Sequence, residues 1–287
     1  MSVGWITIFA WIVSVASVPA NLANIVTAII IFNKDDYVYH RWHTTLLMWV
    51  FIVAPWAFNI YFRYLLNIFQ AIGIVVHVVF FIASIIVLTV LAQHSSNEYV
   101  WGTLTHDVSG WSNPAVAFGI GLLTMAYPIA GGDAVLHLST TPYRCSILNT
   151  KLMNIYIGAE VKKVRTRAPY SIIAATVSNA IMQWGFAICI LYTIGNIDLV
   201  TGTDTGLPLI EVLYEASNSK AVATVFVVAV AIVLFVALFN AFASVSRLTW
   251  AFARDHGLPF SSTFAKVSRP LECDAPAHDN ALGAPKI

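Results

Sequence analysis

An all-α, polytopic membrane protein with six membrane-spanning helices, one of them broken, is the fold class this sequence predicts. Three observations predict it. The chain has 287 residues, of which 59% are hydrophobic and only 10% charged, and its mean hydropathy is +0.77; a soluble domain carries about a quarter charged residues. Apolar runs of about 20 residues, the length a helix needs to cross a hydrocarbon core, recur between short polar segments. The fourth run is interrupted by Gly131-Gly132-Asp133. Backbone N–H and C=O groups find no partners in lipid, so a helix break survives only where it lines a protein-enclosed or watery cavity.

The spans fall at 5–32, 44–62, 71–92, 115–138, 171–194 and 221–243. In the first, Ser14, Ser17, Asn21 and Asn24 recur at spacings of three, four and three, which places them on one helical face. Such a face either packs against another helix or lines a path through the membrane. His77 is the third span's one histidine. Haem ligation needs paired histidines at comparable depth, and only His137 could partner His77, so no haem and no other cofactor is expected. In the fifth span Asn179 and Gln183 stand four apart and carry the same two readings as the first-span face. Asn240, Ser244 and Ser246 close the sixth and read as packing residues.

Six spans put both ends of the chain on one side. Lys34, Arg41 and Lys220 lie in one set of connections, and the other twelve of the fifteen basic residues, among them Lys162, Lys163, Arg165, Arg167, Arg247 and Arg254, in the other. Excess Lys and Arg marks the cytoplasmic side, so both termini are expected there. The opposite connections are acidic: Asp35, Asp36, Glu98, Asp107, Asp198, Asp204, Glu211 and Glu215. Trp42, Trp101 and Trp111 stand near that interface, as aromatic belts do. A net charge of +1 suggests no nucleic-acid partner, and Cys145, Cys189 and Cys273 share no metal or disulfide spacing. No Ser/His, Asp/Asp or metal-binding constellation shares one depth, so an enzyme is not expected.

The fourth span carries the candidate site. Pro128 removes a backbone donor, and Gly131 and Gly132 weaken the helix further. The expected geometry is helix to about Tyr127, unwound backbone to Gly132, and a second half-helix to Ser139. Asp133 then stands at the second half-helix's N-terminus, where an acidic side chain is favourable as a cap or through the dipole. Either Asp133 only caps that half-helix, or the exposed main chain from Ile129 through Ala130 and Gly131 to Gly132 also contacts a solute.

At these residues the sequence resembles a known family. Gly-Gly-Asp-Ala-Val-Leu-His-Leu-Ser (131–139) is similar to the sixth-helix motif of fungal amino acid, choline and GABA permeases, within the amino acid–polyamine–organocation (APC) superfamily. Arg41 to Trp49 resembles the start of the family's fourth helix. Glu160 to Pro169 resembles the basic segment before helix seven, and Ser246 to Phe260 the signature after helix eight. The four stretches occur in the family's order. The resemblance implies a partial LeuT-like (APC) transporter: the six spans correspond to helices three to eight of twelve, with helices one, two and nine to twelve absent. It further implies alternating access, proton coupling and a plasma-membrane location, with a small amino acid or quaternary-ammonium solute as partner. Tyr127 would offer its ring to an ammonium group. An amino acid's carboxylate would prefer the N–H groups of a half-helix N-terminus; choline, lacking one, would lean on aromatic faces. A remnant that does not transport, or a partner of a full-length permease, is the alternative.

Two stretches depart from the family. Nineteen residues, 140–158, intervene before Ala159-Glu160-Val161, where the family runs on almost directly. They read as a cytoplasmic insertion or as a translated intron whose length is a multiple of three nucleotides. Residues 269–287 form a polar, non-helical tail where a ninth helix would begin.

Overall fold

The computed structural model of the chain describes residues 2–62, 65–102, 110–126, 164–195 and 197–266. Ten α-helices lie within them: α1 (Ser2–Asn33), α2 (Arg41–Tyr61), α3 (Leu66–Leu91), α4 (Asn97–Gly102), α5 (Pro114–Ala126), α6 (Val164–Thr193), α7 (Ile197–Thr201), α8 (Pro208–Ser217), α9 (Lys220–Arg254) and α10 (Ser261–Phe264). No strand occurs among the described residues. The all-α prediction holds, and α1, α2, α3, α6 and α9 are each long and apolar enough to cross a membrane. The remaining expected span, 115–138, is described only as far as Ala126, over the 13 residues of α5. The insertion at 140–158 and the tail at 269–287 lie outside the described residues.

Helix ends differ from the apolar runs because amphipathic and charged residues continue a helix past the hydrocarbon. The 35-residue α9 reaches Arg254, well beyond the apolar limit at 243. It is about 52 Å long, against a core of about 30 Å. Similarly, α6 starts at Val164, ahead of the apolar run that begins at 171.

Helix α9 is the axis of the bundle: α1, α2, α3 and α8 all pack on it. Small residues let the backbones approach, as membrane helices require. Ala23, Ala28 and Ala223 are almost fully buried. A methyl group added at Gly73 of α3 would lie 2.7 Å from Cγ1 of Val236 on α9. Hydrogen bonds tie the same helices: Gln70 Nε2 donates to Asn240 Oδ1 at 2.6 Å, and Asn59 Nδ2 to the Phe239 carbonyl at 3.2 Å. The packing role expected of Asn240 is borne out. Ser244 is buried, while Ser246 is exposed and bonds its own helix at the Phe242 carbonyl.

One connection is far more ordered than a loop. Between α6 and α9 the chain forms α7 and α8, and α8 buries Ile210, Val212, Leu213 and Ala216. These meet Ile25, Phe32, Leu88, Cys189 and Val227 from the ends of α1, α3, α6 and α9. Pro208 opens α8, where a missing N–H costs nothing. Asn218 ends it in the left-handed conformation at φ 51°, which asparagine tolerates better than most residues. Ser219 then caps α9 by accepting from the Val222 N–H at 3.5 Å.

Candidate functional site

The sequence-predicted site residues Tyr127, Ile129, Ala130, Gly131, Gly132 and Asp133 lie outside the described residues, as does His137. What the structure describes is the approach to them. Helix α5 carries the chain from Pro114 to Ala126, and its side chains are exposed along almost its whole length; Phe118 is 62% and Leu123 73% exposed.

Among the described residues, Gln183 of α6 makes the tertiary hydrogen bonds that reach α5. The Nε2 of Gln183 on α6 donates to the Met125 carbonyl at 2.6 Å and lies 3.0 Å from its sulfur. A carbonyl only accepts, so this contact fixes which end of the amide carries the nitrogen. The other end, Oε1, is buried with no hydrogen-bond partner among the described residues. The two residues sit at one depth. Gln183 lies ten residues, about 15 Å, from the α6 terminus at Thr193, and Met125 eleven residues, about 16 Å, from the α5 start at Pro114. In a core about 30 Å thick this is near the midplane. Asn179, its partner in the sequence pattern, is exposed.

The polar face of α1 also resolves. Ser14, Asn21 and Asn24 are exposed, whereas Val15, Leu22, Ala23 and Ile25 beside them are buried. The Ser17 hydroxyl donates to the Ser14 carbonyl at 2.8 Å, within the helix. Packing within the described bundle therefore uses the apolar face and leaves the polar one open. Amide side chains are costly in hydrocarbon without partners, so this face requires water or polar protein groups opposite it.

Two other places do not suit a charged solute. An apolar cleft of about 350 Å³ opens between α1, α2 and α9, lined by Leu22, Val26, Ile29, Phe51, Val228 and Phe235 among others, and offers no polar group. His77 is exposed and stacks on Phe81 within its own helix, with ring centroids 6.5 Å apart. No cluster of three or more metal-ligating side chains occurs among the described residues.

A profile of the family described as amino acid permease matches residues 1–273. The chain belongs to the amino acid permease family. Among curated proteins, this permease chain is 26% identical over 270 residues to a Macrophomina phaseolina protein assigned to amino acid/polyamine transport, covering 93% of the chain and 55% of that protein. It is 23% identical to the choline transporter of Saccharomyces cerevisiae, over 88% of the chain and 42% of the transporter. The GABA-specific permease of the same yeast is 25% identical over 60% of the chain and 27% of its own length. The permease chain thus spans about half the length of these curated relatives. No solved structure matches it at comparable stringency.

Of the polar residues singled out in the spans, the structure brings Gln183 against the approach to the predicted site. Its depth beside the fourth span was not legible, because spacing reports a shared face of one helix and not which neighbour that face meets.

Proposed function

We propose that this permease moves an amino acid, or a related amine such as choline or GABA, across the plasma membrane by alternating access driven by a proton gradient. Both ends of the six-span region face the cytoplasm in this reading. The observation that carries it is the family match over almost the whole chain, joined to relatives named for amino acid, choline and GABA transport. The solute is held by main-chain groups from Ile129 through Ala130 and Gly131 to Gly132. Tyr127 presents its ring to the ammonium group, and Asp133 positions the second half-helix.

Polar groups at mid-depth support the assignment. Asn21 and Asn24 stand about 18 and 14 Å from the α1 terminus at Asn33, level with Gln183 and Met125. A path for a charged solute requires such groups at that depth, where an apolar bundle facing lipid on all sides has no use for them.

The test is uptake of labelled choline, GABA and amino acids by cells that lack their own permeases. Expression of the full-length protein is expected to confer uptake of at least one, and Gly132→Leu to abolish it while membrane insertion stays intact. Undiminished uptake by Gly132→Leu would refute the role given to the main chain there. Uptake that needs co-expression of a second, complete permease would favour an interacting partner instead.

A further inference from the structure

We propose that the cleft between α1, α2 and α9 is a binding site for one acyl chain of a phospholipid with a zwitterionic headgroup, whose phosphate and ammonium pair with charged residues at the cleft's mouth. The inference needs the bundle to span a bilayer and is independent of which solute it moves.

The cleft has the depth of one leaflet. Ile30 stands three residues, about 4 Å, from the α1 terminus at Asn33, and Leu22 eleven residues, about 16 Å. Phe51 lies about 15 Å from the α2 start at Arg41, and Val228 and Phe235 about 12 and 22 Å from the α9 start at Lys220. Half of a hydrocarbon core is about 15 Å. The cleft measures about 350 Å³ and every lining side chain is apolar, so it does not hold water. A dry apolar cavity of about 150 Å³ takes a molecule the size of benzene, so this cleft takes a length of alkyl chain. A helix, about 10 Å across, is too broad to enter it.

The mouth suits the other half of the lipid. Lys34 follows α1, Arg41 opens α2 and Lys220 opens α9, the three helices that line the cleft. The connections that leave α3 and α6, 92–113 and 194–219, hold no Lys or Arg. Carboxylates stand at the mouth too: Asp35 Oδ1 lies 3.5 Å from Lys220 Nζ, and Asp36 follows it. A mouth of both signs matches a headgroup of both signs, whereas an anionic headgroup brings no ammonium to offset the carboxylates. On α9, Lys220, Thr224, Val228 and Ile232 recur every four residues, so the lysine heads the helical face that lines the cleft. Asn33 of α1 donates to Thr224 Oγ1 at 2.9 Å and ties the two helices just below the lysine. The side chains of Lys220 and Asp35 are 51% and 91% exposed, open to a headgroup. Apolar burial selects nothing here, since bilayer tails are as apolar as Ile232. Selection comes from contact with one chain on several sides and from ion pairing in the headgroup layer.

The experiment places the full-length protein in lipid discs containing phosphatidylcholine with a photoreactive diazirine midway along one chain, and maps crosslinked residues by mass spectrometry. Crosslinks are expected on Val26, Ile232 and Phe235 of the cleft above the level on Val75 and Val79, exposed residues of α3 that read ordinary surrounding lipid. Unlabelled phosphatidylcholine is expected to compete for the cleft more strongly than phosphatidylglycerol. Val228→Trp is expected to abolish the cleft crosslinks and to leave those on α3. Ile232→Trp checks the same loss from a second position, and both variants are normalised to recovered protein. Lys220→Ala is expected to weaken competition by phosphatidylcholine about fivefold, the worth of one cation in the headgroup layer. Crosslinks no denser in the cleft than on α3 would overturn the proposal and leave only surrounding lipid. Crosslinks absent from the cleft would overturn it too, as a face covered by protein in the complete permease. So would competition by phosphatidylglycerol that equals that of phosphatidylcholine, or displacement of the label by a sterol alone.

Discussion

Helices α8 and α5 are close in length, yet one is wrapped and the other bare. Ile210 and Leu213 of α8 are 0% and 2% exposed, whereas Leu123 of α5 is 73% exposed. The difference teaches that burial has two meanings in this molecule. Helix α8 is amphipathic, with Glu211 and Glu215 on its other side, and sits on the ends of the spans, where water is the competing solvent. There, covering apolar surface is driven at about 25 cal/mol per Å². Helix α5 opens the run expected to form the fourth span, and in that setting lipid tails are as apolar as its leucines, so exposure to them carries no penalty and burial brings little.

The comparison can be broken by single truncations in the purified protein, read by denaturant titration in lipid discs. Leu213→Ala is expected to cost the most, about 2–5 kcal/mol, as for other leucines truncated in a closed core. Ser219→Ala, which removes the cap at the start of α9, is expected to cost about 1 kcal/mol. Leu123→Ala is expected to change stability by less than about 0.5 kcal/mol, as for surface substitutions. A loss at Leu123 as large as that at Leu213 would show that α5 is packed against protein after all.

The same distinction governs what the sequence could tell. The five long spans were legible because hydropathy over about 20 residues is a strong signal, and lipid dictates it without reference to neighbours. Their ends were not, because α9 continues to Arg254 on residues that hydropathy discounts. Helix α8 was missed inside a connection, although Pro208 at its start and the spacing of Ile210, Leu213 and Ala216 carry the marks of a short amphipathic helix. Ten residues are too few to stand out beside spans of thirty. Gln183 was visible as a polar residue, but its contact with Met125 spans 58 positions and depends on how two helices meet. The solute-holding stretch itself remains a reading of Pro128, Gly131, Gly132 and Asp133 in the sequence.

Asn218 and Ser219 alone separate α8 from α9, and two residues of chain reach no more than about 7 Å even when fully drawn out. Such a joint has no slack. Any tilt or slide of the long axial rod must therefore drag the stopper seated at its head, so the position of one reports the position of the other.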